Sequence, residues 1–161
     1  MNEARKFTVL ALLAAIVPLI WFCFWYGLGN TGLLDNNEGI YAQVSREMLE
    51  SGGYVTPFFN GMPYLEKPPL LFWLTALSYK MFGISEFSAR AIPALSASLL
   101  VVLAIWSGWR LANPLTGVLA GLILSSSVAV AILGRTLLFD MLLTLLLSAC
   151  LIWIFCWLTT Q

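Results

Sequence analysis

AIPALSASLLVVLAIWSGWRLANPLTGVLAGLILSSSVAVAILGRTLLFDMLLTLLLSACLIWIFCWL, residues 91–158, contains only three charged residues, Arg110, Arg135 and Asp140. A helix crossing roughly 30 Å of hydrocarbon needs about 20 mostly apolar residues. Two short polar links, Asn113-Pro114 and Gly134-Arg135-Thr136, divide the stretch into three such runs: about 91–111, 115–133 and 137–158. Upstream, residues 7–28 form a fourth. That run is too long for a secretory leader and carries Pro18, Trp21 and Trp25, so it reads as a membrane span. The predicted fold is therefore an all-α integral membrane protein with four transmembrane helices.

Composition agrees. Of 161 residues 60% are hydrophobic and 10% charged, with a mean hydropathy of +0.89, whereas a soluble domain carries about a quarter charged residues. Eight cations balance eight anions, so there is no basic field to bind nucleic acid. Histidine is absent, and Cys23, Cys150 and Cys156 each sit in an apolar run. No disulfide framework or metal knuckle is expected, and acid–base chemistry falls to carboxylates.

Arg5 and Lys6 flank the first span, and the positive-inside rule then places the amino terminus in the cytoplasm. The loop from about 29 to 90 would face outward. A plain count opposes this, with Arg46, Lys67, Lys80, Arg90 and Arg135 outside against Arg5, Lys6 and Arg110 inside. The outer cations are interleaved with acids, and long loops translocate regardless of charge.

The loop has its own order. Asp35 and Glu38 are spaced as a helix cap and its partner, and Ile40, Val44 and Met48 recur until Gly52-Gly53. A turn at Asn60-Gly61 follows, and Pro68-Pro69 open a second helix through Leu70, Trp73, Leu77 and Met81 to Gly83. Both read as amphipathic helices lying on the membrane surface. Ser85 is placed to cap the second span. No internal repeat is present, which argues against a complete secondary transporter.

Three clusters carry potential chemistry. Asp35-Asn36-Asn37-Glu38 puts two carboxylates at a helix amino terminus, as a plain capping box or as ligand or base groups. In Tyr64-Leu65-Glu66-Lys67-Pro68-Pro69, Lys67 either holds an anionic group such as a phosphate or pairs with Glu66. Asp140, inside an apolar run, is either functional or paired with Arg135.

The stretch NNEGIYAQVSREMLESGGYVTPFFNGMPYLEKPPLLFWLTALSYKMFG, residues 36–83, resembles the first extracytoplasmic loop of membrane glycosyltransferases of GT-C fold that use a polyprenyl-phosphate sugar donor. Its pattern is similar to that of the lipid A aminoarabinose transferases, cousins of the protein O-mannosyltransferases. The resemblance rests on an acidic residue followed by G-x-Y-A, the Arg46-Glu47-Met48-Leu49 helix, the Asn60-Gly61-x-x-Tyr64-x-Glu66-Lys67-Pro68 turn, the Phe82-Gly83-x-x-x-Phe87-x-x-Arg90 approach to the second span, and Asp140. It implies that the chain is a single transmembrane unit, residues 1–161, forming the amino-terminal part of a larger GT-C module in the plasma or inner membrane. The module would move a sugar from a polyprenyl-phosphate donor to a lipid or protein acceptor at the outer face.

In that reading Glu38, Asp140 and Asp35 are the catalytic candidates, because the family's base position carries Asn37, an amide that cannot accept a proton as a carboxylate does. Lys67 with Arg46 would stabilise the phosphate of the leaving carrier, and Glu66, Tyr64 and Asn37 are further substrate-binding candidates. Asp140 is expected to face Glu38 and Lys67 across one outer cavity. Membrane lipid, the polyprenyl-phosphate sugar, and further helices or a partner membrane chain are the implied partners. No metal site is expected from clusters, with Glu66 a lone candidate for a divalent ion. Two rivals stand beside this reading: a non-catalytic small membrane subunit using the loop for lipid-phosphate or partner docking, and a truncated gene product.

Overall fold

The computed structural model describes residues 3–33 and 36–159, without the side chains of Ala4 and Arg5. Asp35 and the Arg5 side chain thus lie outside the described residues. α1 (Glu3–Ile20) runs into one π-helical turn, Trp21–Trp25, closed by the Tyr26 N–H on the Trp21 carbonyl at 2.9 Å. Such a turn displaces the regular carbonyl partners. The Cys23 carbonyl accepts instead from Arg135 Nη1 at 3.3 Å.

α2 (Asn36–Ser51) leads to a minimal hairpin, β1 (Phe58–Phe59) and β2 (Met62–Pro63), and then to α3 (Leu70–Phe82). Asn60 and Gly61 both have positive φ, 51° and 77°, the conformation that a two-residue hairpin with right-handed strand twist requires. α4 (Glu86–Leu111) begins at Ser85, whose hydroxyl accepts from the Ser88 N–H in a reciprocal capping box. α5 (Pro114–Ser125), α6 (Val128–Leu133) and α7 (Phe139–Thr159) complete the chain.

Among the described residues three helices are long and apolar enough to cross a membrane: 6–25, 86–111 and 139–159. The predicted third span, 115–133, is not one helix. Ser125 and Ser126 turn their hydroxyls back onto the Leu122 and Ile123 carbonyls, and Ser127 is extended with ψ 123°, so the run breaks into α5 and α6. Serine hydroxyls that bond their own backbone compete with the helix ladder in this way.

α4 and α5 pack backbone to backbone. A Cβ on Gly117 would strike the Ile105 carbonyl and the Trp109 amide, and one on Gly108 would meet the Gly117 Cα at 2.7 Å. Small residues at a membrane helix crossing permit this approach. The Trp25 indole donates to the Ser98 hydroxyl at 3.0 Å, tying the π turn to α4.

Two cores result. One, among Val9, Ile16, Phe24, Leu100, Val101 and Val118, joins the long helices. The other gathers Tyr41, Val44, Met48, Leu71, Phe72, Ala89 and Leu137 from the loop helices and the starts of α4 and α7. With 26 residues, α4 is roughly 39 Å long, more than the hydrocarbon needs, and its first turns reach the second core.

The expectation for α2 changes accordingly. Val44 and Met48, read as a lipid-facing stripe, are fully buried within the protein, because α3 and the start of α7 cover that face. α3 behaves otherwise: Leu70, Trp73, Leu77 and Met81 are exposed, while Leu71, Phe72, Thr75 and Tyr79 face inward.

Candidate active site

The second core brings the three sequence clusters to one end of the molecule. Tyr41 of α2, Phe72 of α3 and Phe139 of α7 pack edge to face, with centroids 5.0 Å apart for Tyr41–Phe139, 5.4 Å for Phe72–Phe139 and 5.9 Å for Tyr41–Phe72. Tyr64 extends the set, 6.1 Å from Phe72, with Phe59 6.4 Å beyond it. The turn that carries Glu66 and Lys67 and the helix start that carries Asp140 are therefore fixed against the same rings. Such pairs favour edge-to-face geometry and resist reorientation.

Glu38 lies at the head of α2, fully buried. Arg90 of α4 grips it twice, Nε to Oε1 at 3.0 Å and Nη2 to Oε2 at 2.9 Å. The Leu137 N–H adds a 2.7 Å bond to Oε1. Arg90 also donates to the carbonyls of Leu28, Thr31 and Gly32, at 3.2, 2.7 and 2.9 Å. A buried charge pair is tolerated when its remaining donors and acceptors are satisfied, as here. One ion pair thus joins the exit of the first span, α2, α4 and the approach to α7. Arg90 ended a motif in the sequence but carried no predicted role; its signal was a cation at the start of an apolar span.

Asp140 lies in the first turn of α7, exposed, three residues after the Leu137 amide that binds Glu38. It forms no ion pair among the described residues, and Arg135 is occupied by the Cys23 carbonyl. Lys67 is likewise exposed and outside every ion pair among the described residues. Glu66 accepts a 3.5 Å bond from the Tyr64 hydroxyl, and burial, more than the nearby Tyr41 and Glu66 charges, pushes Tyr64 above its ordinary pKa. Asn37 is exposed, beside Glu38.

Glu47 holds the hairpin. It accepts from the Asn60 N–H at 2.9 Å, the Gly61 N–H at 3.5 Å and Gln43 Nε2 at 2.8 Å. Burial pushes its carboxyl up, but these donors together outweigh that and its pKa is lowered. Arg46 points elsewhere, its Nε on Glu50 at 2.7 Å, and it lines a cavity at the far end of α3 from Lys67.

Two polar cavities flank α2. One of about 270 Å³ lies between Arg46, Tyr79 and Glu86; the other, about 730 Å³, lies between Asn36, Gln43 and Asn60. Glu38, Lys67 and Asp140 line neither of them, so the single outer cavity expected from the sequence is not one of these two. Among the described residues no three metal-ligating side chains cluster.

One protein solved in two states shares this arrangement of helices, and further relatives match in sequence. The crystal structure of ArnT from Cupriavidus metallidurans bound to undecaprenyl phosphate superimposes with a TM-score of 0.79 at 29% identity, covering 89% of this chain and 26% of that one. Its apo state gives 0.80 at the same identity, covering 93% and 27%. An undecaprenyl phosphate-alpha-4-amino-4-deoxy-L-arabinose arabinosyl transferase of Yersinia pestis is 35% identical over 143 residues, 86% of this chain and 26% of the relative. Its namesake in Pseudomonas savastanoi is 42% identical over 103 residues, 60% and 19% of the two chains. The chain thus spans about a quarter or less of the length of these relatives. Residues 7–161 match the dolichyl-phosphate-mannose-protein mannosyltransferase family, and this multi-pass membrane chain belongs to it.

Proposed function

We propose that the chain supplies the amino-terminal portion of a membrane glycosyltransferase, which moves a sugar from a polyprenyl-phosphate carrier to a lipid or protein acceptor at the outer face. The observation that carries this reading is the fixing of the Lys67 turn and the Asp140 helix start against one aromatic core, in a fold shared with a protein crystallised with undecaprenyl phosphate.

Within it, the exposed Lys67 ammonium binds the carrier phosphate and stabilises charge developing on it as the glycosidic bond breaks. Asp140, exposed and without an ion pair among the described residues, orients and deprotonates the acceptor. Glu38 has both oxygens engaged by Arg90 and one also by the Leu137 amide, which suits a positioning residue better than a base. Asp35 is a second acidic candidate, outside the described residues. Tyr64 and Glu66, on the same turn as Lys67, and Asn37, exposed beside Glu38, contribute neutral and acidic contacts to the sugar, or with Glu66 to a divalent ion.

We place the loop of residues 29–90 outside, with Arg5 and Lys6 holding the amino terminus in the cytoplasm of a plasma or inner membrane. The interrupted pair α5 and α6 makes the fourth crossing, and the exposed stripe of α3 rests on lipid. This is supported by the apolar character of both segments.

The test is transfer of labelled sugar from polyprenyl phosphate in membranes holding the protein, with Lys67→Ala beside Lys80→Ala. Loss of one charge-assisted contact costs roughly 1.5–3 kcal/mol, so only Lys67→Ala should lose carrier binding, by about tenfold or more. Equal binding by the two variants removes Lys67 from the site.

A further inference from the structure

The elbow between α3 and α4 carries two neighbouring cavities of different character. The more polar one, about 270 Å³, has mixed walls, with Gln43, Arg46, Tyr79, Ser85 and Glu86 beside Leu33, Ala42 and Ile84. The other, about 340 Å³, is almost wholly apolar, between Trp25, Leu77, Met81, Phe82, Phe87 and Leu95. Phe87 packs against both Phe82 and Trp25, at 6.3 Å in each case, and gives the groove rigid aromatic walls. Residues 82–87 run between the two spaces, so a molecule that reaches over this turn can place a charged head in one and an apolar tail in the other.

The charges in the polar cavity define the head. Burial pushes the Tyr79 hydroxyl up to about 12, with Arg46 pulling it down and Glu86 pushing it further up. Arg46, Tyr79 and Glu86 line this one cavity, which therefore offers a cation, a phenol and an anion together. Arg46 engages Glu50 through Nε alone, in an exposed pair, and such pairs yield readily to a ligand. Its terminal nitrogens can fork onto a phosphate.

We propose that this elbow binds a phospholipid whose headgroup joins a phosphodiester to an ammonium, with the phosphodiester on Arg46, the ammonium on Glu86 and one acyl chain in the Trp25–Leu95 groove. A phosphate monoester fits less well, because it approaches a charge of about −2 near neutral pH and Glu86 would repel it. Among the residues that line this cavity one arginine opposes one glutamate, which matches a zwitterion of zero net charge once its phosphodiester has taken Arg46 from Glu50. Arg46 and Lys67 thus serve different ligands: the ten residues from Leu70 to Tyr79, nine helical steps, place roughly 14 Å of helix between their sites. The proposal does not rest on sugar transfer.

The test is titration of the purified chain with fluorescent-acyl phosphatidylethanolamine and phosphatidylglycerol. We expect at least about fivefold preference for the ethanolamine lipid, a loss of similar size in Arg46→Ala, and no preference left in Glu86→Gln. Leu77→Trp, which fills the groove, should weaken both lipids, and water-soluble glycerophosphoethanolamine should fail to compete at matched concentration. Lys67→Ala should bind as the parent does, which separates failure here from failure of the transferase reading. Equal affinity for the two lipids overturns the proposal, as does competition by the soluble headgroup equal to that of the lipid. Displacement of the lipid by polyprenyl phosphate in the parent but not in Arg46→Ala overturns it too and assigns the elbow to the carrier.

Discussion

Arg90 holds Glu38 in a two-bonded clasp, Nε to Oε1 at 3.0 Å and Nη2 to Oε2 at 2.9 Å, with side chains 5% and 1% exposed. The pair connects residues 52 apart in sequence and, through the Leu137 amide, reaches a third segment. Removing one member of a buried pair leaves the other charge without compensation, at a cost of about 3–5 kcal/mol. Arg90→Ala and Glu38→Leu should each lower thermal stability in detergent strongly, whereas the double variant Arg90→Met with Glu38→Leu should recover much of the loss. Additive losses in the double variant would show that the two side chains act separately.

Glu47 sets a pH dependence of the hairpin. Its folded pKa lies below the ordinary value of 4.5, so its contribution is fully present above the ordinary value and is lost as pH falls through the folded one. The amide resonances of Asn60 and Gly61 should therefore titrate with a midpoint below 4.5, and Glu47→Gln should abolish the titration. A midpoint at or above 4.5 would contradict the balance of burial and hydrogen bonds described for this carboxylate.

Gly117 allows α5 to meet α4 at backbone distance, and a methyl there would strike the Ile105 carbonyl. Neither helix can yield through a flexible side chain, since the obstacle is backbone. Gly117→Ala should cost about 1–3 kcal/mol, the usual range for overpacking, whereas Gly32→Ala, with open space around its Cα, should leave the unfolding temperature unchanged. Equal stability of the two variants would mean that α4 and α5 are not in this close contact.

Residues governed by local physics were legible in the sequence. Ser85 caps α4, Gly83 ends α3 and Asn60-Gly61 makes a turn, because each answers to its immediate neighbours. Hydropathy located the long helices for the same reason, but it could not see Ser125, Ser126 and Ser127 closing α5 early, since three small hydroxyls barely lower an apolar average. The long-range partners were hidden. Nothing in the spacing of Glu38 and Arg90 indicates that they meet, and the apolar stripe of α2 fits a lipid surface as well as it fits the protein core that in fact buries Val44 and Met48. A pair between Arg135 and Asp140 is one of the two readings that their closeness in sequence allows; the Arg135 guanidinium instead meets the Cys23 carbonyl of the π turn at Trp21–Trp25.

Asp140 is the residue on which the transferase reading turns. It occupies the first turn of α7, where unpaired N–H groups favour an anion, and its neighbour Phe139 is locked against Tyr41 and Phe72. The carboxylate is thus exposed yet borne on a fixed backbone, as a group that must meet an acceptor repeatedly at one place should be. General acid–base contributions are typically about 10²–10⁴-fold, so Asp140→Asn should lower transfer by at least about a hundredfold in active membranes. Chain insertion should stay unchanged and the thermal midpoint should fall only slightly, because the side chain gives up its favourable place at the helix start but has no ion pair to lose among the described residues. Arg135→Gln should do the reverse: it gives up the bond to the Cys23 carbonyl, destabilises by about 0.5–1.5 kcal/mol and keeps the turnover of the folded fraction. Glu38→Gln should also act through stability, with turnover per folded molecule little changed if Glu38 only positions. Parental turnover in Asp140→Asn, together with a large turnover loss per folded molecule in Glu38→Gln, would move the proton-accepting role to Glu38 despite its clasp by Arg90.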